Sequence, residues 1–186
     1  MKTEESMGEV RMDSFEGRSA LALASMFSHG WADHAEGCAT FAECAKKQAA
    51  WEWETGGISG LGPALEHTSA RGRYWWKITA TEVVAEVRRP AGATIRLTFP
   101  KGGDVRTELL EVPGLARHAT DAMFLVSALL GRERGERFLR GLLGPRRIAA
   151  MEAASKLAEA ESLEGLDLEN APGMRAIREL QNERIW

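Results

Sequence analysis

Two hydrophobic periods alternate along the chain. From Asp13 to about Glu54 the spacing is helical. Leu23, Phe27, Gly30, His34, Cys38, Phe41, Ala45 and Gln48 recur at threes and fours and form one stripe. Asp13 followed by Glu16 reads as the start: the aspartate accepts from an orphan amide and the glutamate reaches back. Gly30 and Gly37 each weaken a helix by about 1 kcal/mol relative to alanine, so a break is expected near one of them. Residues 55–72 then carry the glycine-rich run GGISGLGP and read as a loop.

Across 73–112 the period becomes two. Trp76 and Ile78, then Val83, Ala85 and Val87, then Ile95, Leu97 and Phe99 alternate with polar neighbours. Turn chemistry at Arg89-Pro90-Ala91-Gly92 and at Pro100-Lys101-Gly102-Gly103-Asp104 joins consecutive runs. Short turns between successive strands predict an antiparallel meander of three to four strands.

The stretch from Leu115 to Gly131 is apolar nearly all the way round, yet shorter than the roughly 20 residues that span a bilayer. Such a helix needs wrapping by other elements, and it is the expected cover for one face of the sheet. Phe138, Leu139, Leu142 and Leu143 continue a helical face. Pro145 suits the first position of a further helix, to about Ala160. Residues 161–172 are acidic and looser, and a final helix runs from Met174 to about Arg184. The sum is an α+β domain, 1–186: a flexible N-terminus over 1–12, helices over 13–54, a loop over 55–72, the antiparallel sheet over 73–112 and helices over 115–186. The sheet is expected to pack against both the N-terminal and the C-terminal helices.

Composition narrows the function. At 186 residues the chain buries a core of its own, without disulfides or metal. The net charge of −3 argues against nucleic-acid binding, which needs a basic footprint. The opening MKTEESMGEV is polar and acidic, unlike a signal peptide, and no apolar run is long enough for a membrane. Cytoplasm is the expected compartment. Usage rich in alanine, arginine and glycine points to a GC-rich bacterial genome.

Chemistry-bearing residues fall in three groups. His34 and Cys38, four apart, share a helix face, and His118 lies in line with Leu115, Ala122, Leu125 and Leu129. Helices packed on those faces bring two imidazoles and a thiol into one dry pocket. Burial there favours neutral imidazole, ready to accept a proton, and Asp121 is placed to fix a tautomer. His118, His34 and Asp121 are therefore the candidate catalytic residues. The simpler alternative is that these histidines only donate to backbone carbonyls and that Cys38 is a small buried hydrophobe.

The second group, Trp51, Trp53, Tyr74, Trp75 and Trp76, flanks the glycine-rich loop and, with Cys38, is expected to line a ligand pocket. Alternation sends Trp75 and Trp76 to opposite faces. The third is the arginine run GRERGERFLRGLLGPRR, which the acidic stretch downstream can neutralise within the chain or between subunits.

No metal is expected. On a continuous helix Cys44 points about 120° from Cys38 and His29 about 140° from His34, and neither zinc-knuckle spacing nor H-E-x-x-H occurs. The same angle predicts reduced thiols. No phosphate loop, dinucleotide fingerprint or nucleophile elbow appears, so no cofactor is expected. The residues point to a small cofactor-independent enzyme that isomerises or cyclises an apolar or aromatic metabolite by acid–base chemistry. The alternative is a non-catalytic small-molecule-binding protein or a helix-mediated homodimer. The expected partner is a small molecule, not nucleic acid or membrane.

Overall fold

A computed structural model describes residues 10–28, 30–55, 65–69, 72–89, 92–109, 116–163 and 171–182. Residues 1–9 of the flexible N-terminus expected over 1–12, His29, the loop glycines at 56–64, the turn at Pro90-Ala91, Pro113-Gly114 and the acidic residues 164–170 lie outside them. So do the side chain of Trp53 and the chain end beyond Asn182. The fold is α+β, with helices before and after a five-stranded antiparallel sheet. The chain forms two compact units, Met1–Leu110 and Glu111–Trp186.

The first unit begins with three helices, α1 (Phe15–Ser25), α2 (Gly30–Ala35) and α3 (Phe41–Thr55). The predicted stripe is therefore broken twice, near Gly30 and again at Gly37, whose φ of 75° suits glycine. The cap of α1 is Ser14 and not Asp13: Ser14 Oγ accepts from the Gly17 amide at 3.0 Å. Asp13 is turned away by Arg11, which grips its carboxylate with bonds of 2.9 and 2.8 Å. α3 opens with a reciprocal capping box. Thr40 Oγ1 accepts from the Glu43 amide, while Glu43 Oε2 accepts from the amides of Ala39 and Thr40. Residues 10–12, expected to be loose, are tied down instead. Met12 donates to Ala39 and Phe41 donates to Val10 across the start of α3. Leu23, Ala24, Trp31, Phe41 and Cys44 form the helical core, with Trp31 and Phe41 stacked at 5.5 Å.

The sheet follows as β1 (Glu66–Thr68), β2 (Tyr74–Ile78), β3 (Glu82–Arg89), β4 (Gly92–Pro100) and β5 (Arg106–Leu109), paired in chain order. β1 is one strand more than the pattern predicts. Three residues beside a glycine-rich run are too few to display a period. One sheet face is apolar and buried: Tyr74, Trp76, Ile78, Val83, Ala85, Val87, Ile95, Leu97 and Phe99, as the alternation requires. The other face is polar. Its middle row runs Trp75, Glu86, Arg96, Glu108 across four paired strands. Glu86, 3% exposed, accepts from both Arg88 and Arg96, and Arg88 lies over the Trp75 ring at 4.8 Å.

The second unit is helical: α4 (Ala116–Leu130), α5 (Arg132–Leu163) and α6 (Pro172–Asn182), each packed on the other two. α4, expected to be apolar on every side and fully wrapped, is amphipathic instead. His118, Ala119, Asp121, Ala122, Leu125 and Val126 are buried, but Phe124 is 48% exposed. α5 is two helical segments meeting at Gly144 (φ 76°, ψ 163°), so Pro145 does begin a helix. Gly135 lets α5 approach α4, because a side chain there would strike Ser127. Part of the arginine run is paired within the chain: Arg132 with Glu136, Arg137 with Glu133, and Arg140 with Glu152 across the break.

Candidate functional site

Within the first unit, the turn after α1 carries two side chains of opposite character. Phe27 is 39% exposed and lies against the apolar sheet face, edge-on to Tyr74 at 5.8 Å and stacked on Trp76 at 6.0 Å. Ser28, the next residue, accepts from Gln48 of α3.

Beside Phe27, β1 adds His67. Its register partner is Trp76, and the two rings tilt together with centroids 4.8 Å apart. His67 Nε2 and Trp76 Nε1 are both buried and find no hydrogen-bond partner among the described residues. An unpaired buried polar atom costs about 1–3 kcal/mol. Two such atoms stand on neighbouring rings. Burial lowers the His67 pKa below its ordinary value of 6.5, so the ring is neutral at pH 7. A neutral imidazole can accept a proton from a bound molecule.

On the Ser28 side lies a buried polar cluster. Gln48, 1% exposed, donates through Nε2 to Ser28 Oγ at 3.2 Å and to Glu52 Oε1 at 2.7 Å. Glu52 is itself buried, 8% exposed. Gly30 makes room: a Cβ there would stand 2.8 Å from Gln48 Oε1 and 3.3 Å from Trp51. Trp51, 40% exposed, rests its ring 5.8 Å from that of His34.

The residues singled out from sequence are thus partly regrouped. His34 meets Trp51. Tyr74 and Trp76 share Phe27, while Trp75 lies on the polar sheet face under Arg88. Cys38 does not share a helix face with His34. It follows α2, and its thiol donates to the His34 carbonyl at 3.1 Å, not to the ring. His118 and Asp121 are buried three residues apart on α4, in the second unit, whereas His34 belongs to the first. Sequence reasoning missed His67, Phe27 as a ring partner and Glu52. The one available signal was that His67 is the histidine nearest in sequence to the aromatic run that starts at Tyr74. Among the described residues no group of three or more His, Cys, Asp or Glu side chains can hold a metal ion, and no helix is long and apolar enough to cross a membrane.

Comparison with protein-family models, with curated proteins and with solved structures finds no match.

Proposed function

We propose that the first unit binds a planar, largely apolar small molecule bearing one hydroxyl or carbonyl group, and that His67 transfers a proton to or from it. The observation that carries this reading is the pair of unpartnered buried atoms, His67 Nε2 and Trp76 Nε1, beneath a half-exposed Phe27. The Trp76 N–H would donate to the oxygen of the ligand. Neutral His67 would take a proton from its O–H, or from a C–H made acidic by the neighbouring carbonyl. Phe27 is the exposed part of the aromatic wall and the part a ligand can displace. This keeps the acid–base enzyme expected of a cytoplasmic bacterial protein without a cofactor, with isomerisation or cyclisation as the reaction type. It moves the base from His34 and His118 to His67. His118 and Asp121, both buried on α4, are assigned no step.

The experiment is a binding screen with indole, naphthol and phenol probes, followed by ligand-observed NMR. Binding to the native protein should weaken at least about tenfold, or about 1.4 kcal/mol, in Phe27→Ala. His67→Gln should retain binding of naphthalene, which lacks a polar head, and lose its preference for naphthol. Equal affinity of all three proteins for every probe would refute the site.

A second reading, self-association through the second unit, is favoured by two large apolar side chains left in water, Phe124 at 48% and Leu157 at 46% exposed. Sedimentation at micromolar concentration tests it. A dimer that Phe124→Ser or Leu157→Ser dissociates supports this reading, and a monomer at every concentration removes it.

A further inference from the structure

The two cysteines meet at the end of α2. Cys38 Sγ donates to the carbonyl of His34 at 3.1 Å, and Cys44 Sγ donates to the carbonyl of Trp31 at 3.6 Å. Those carbonyls are three residues apart on one short helix, so both sulfurs hang from the same turn. Cys44 sits in the first turn of α3, while Cys38 is in the connection before it. The 120° separation that a continuous helix would impose does not apply, because Gly37 and the turn after it fold Cys38 back. The thiols are also unlike. Cys38 is partly exposed, Cys44 is fully buried, and both are reduced.

We infer that Cys38 and Cys44 form a reversible redox site, in which Cys38 meets a hydroperoxide and Cys44 closes a disulfide onto it. In the first step the Cys38 thiolate attacks the terminal peroxide oxygen. The O–O bond breaks, the alkoxide leaves and takes a proton to become an alcohol, and Cys38 becomes a sulfenic acid. In the second step the Cys44 sulfur attacks the Cys38 sulfur. The S–S bond forms, the S–O bond breaks, and the Cys44 proton leaves with the hydroxyl as water. Two thiols are oxidised by two electrons in all, and one peroxide is reduced to alcohol and water.

Burial supports this division of labour. Cys44 holds its proton up to a pKa of about 11, raised by desolvation and by the neighbouring Cys38 thiol, so it is a poor first nucleophile and a protected second one. Closing the bridge removes both thiol hydrogen bonds from α2. It therefore loosens the helix that carries Trp31 and His34.

The test uses the full chain, treated with tert-butyl hydroperoxide or with the thiol oxidant diamide. Both cysteines fall in one tryptic peptide, residues 19–46. The account predicts that this peptide loses two hydrogens, that both thiols lose alkylation together, and that dithiothreitol restores both. Cys44→Ser should instead trap Cys38 as a sulfenic acid that dimedone labels. Diamide on the native chain gives the same answer without relying on that variant's fold. Alkylation of Cys44 after Cys38 has been oxidised, or disulfides found only between chains, would overturn the proposal.

Discussion

His67 and Trp76 face each other across the β1–β2 pairing with ring centroids 4.8 Å apart, each with a buried nitrogen that no described residue satisfies. The histidine's pKa is lowered by burial, which fixes the direction of a pH effect. Below its ordinary 6.5 the unfolded imidazole takes up a proton before the folded one does. The unfolded state then binds more protons, so stability falls as pH drops from 6.5 toward the lower folded pKa. Denaturant melts between pH 7.5 and 5 should show this decline, and His67→Phe should flatten the part due to this group.

Cys44 gives the opposite slope at the alkaline end. Its folded pKa of about 11 stands above the ordinary 9, so the unfolded thiol ionises first. Stability is full below pH 9 and is lost as pH rises toward 11. The same melts between pH 8 and 10.5 should steepen in the native chain relative to Cys44→Ala.

Glu86 is a buried charge held from two sides. Its side chain is 4% exposed and takes 2.7 and 2.8 Å ion pairs from Arg88 and Arg96. Glu86→Ala takes the shared carboxylate from two partly exposed guanidinium groups and should cost about 1–3 kcal/mol. Urea denaturation is the check. Glu108→Ala, which removes a 3.4 Å pair from Arg96 at the exposed end of the row, should cost about 1 kcal/mol or less.

Gly30 should not tolerate a methyl group. Alanine there meets the Gln48 amide and the Trp51 ring at once, and Gln48 is already held by Ser28 and Glu52. Gly30→Ala should destabilise by about 1–3 kcal/mol by overpacking. Gly37→Ala should also cost stability, through the positive φ of 75° and not through contact, because nothing lies within reach of a Cβ there.

The strands were legible because their faces differ. Val83, Ala85 and Val87, and Ile95, Leu97 and Phe99, are buried on one side just as their alternation with polar residues says. The turn from one helical segment to the next at Pro145 was legible because proline tolerates only a first turn. The helical breaks near Gly30 and Gly37 were harder. A stripe at threes and fours continues through a short turn without losing phase, so one period covered three helices. The cap at Ser14 was hidden because Asp13 is an equally good capping residue, and only its ion pair with Arg11 decides between them.

The site was less legible, for a physical reason. His67 acquires its neighbour through strand pairing, and a three-residue strand after a glycine-rich run announces neither its existence nor its register. Glu52 is buried by a hydrogen bond that pairs it with Gln48, and no spacing rule distinguishes it from the exposed Glu43 or Glu54 on the same helix. The continuous-helix angle between Cys38 and Cys44 did not apply for the related reason that the chain leaves α2 before Gly37, whose φ is 75°, and Cys38 lies between helices.

The most direct measurement is an NMR titration of the four histidine rings, with His67 assigned through His67→Gln, in the absence and presence of 2-naphthol. The account predicts a His67 midpoint below 6.5 that moves when naphthol binds, while the other histidines keep theirs. A His67 midpoint at or above 6.5, unmoved by saturating naphthol, would contradict it.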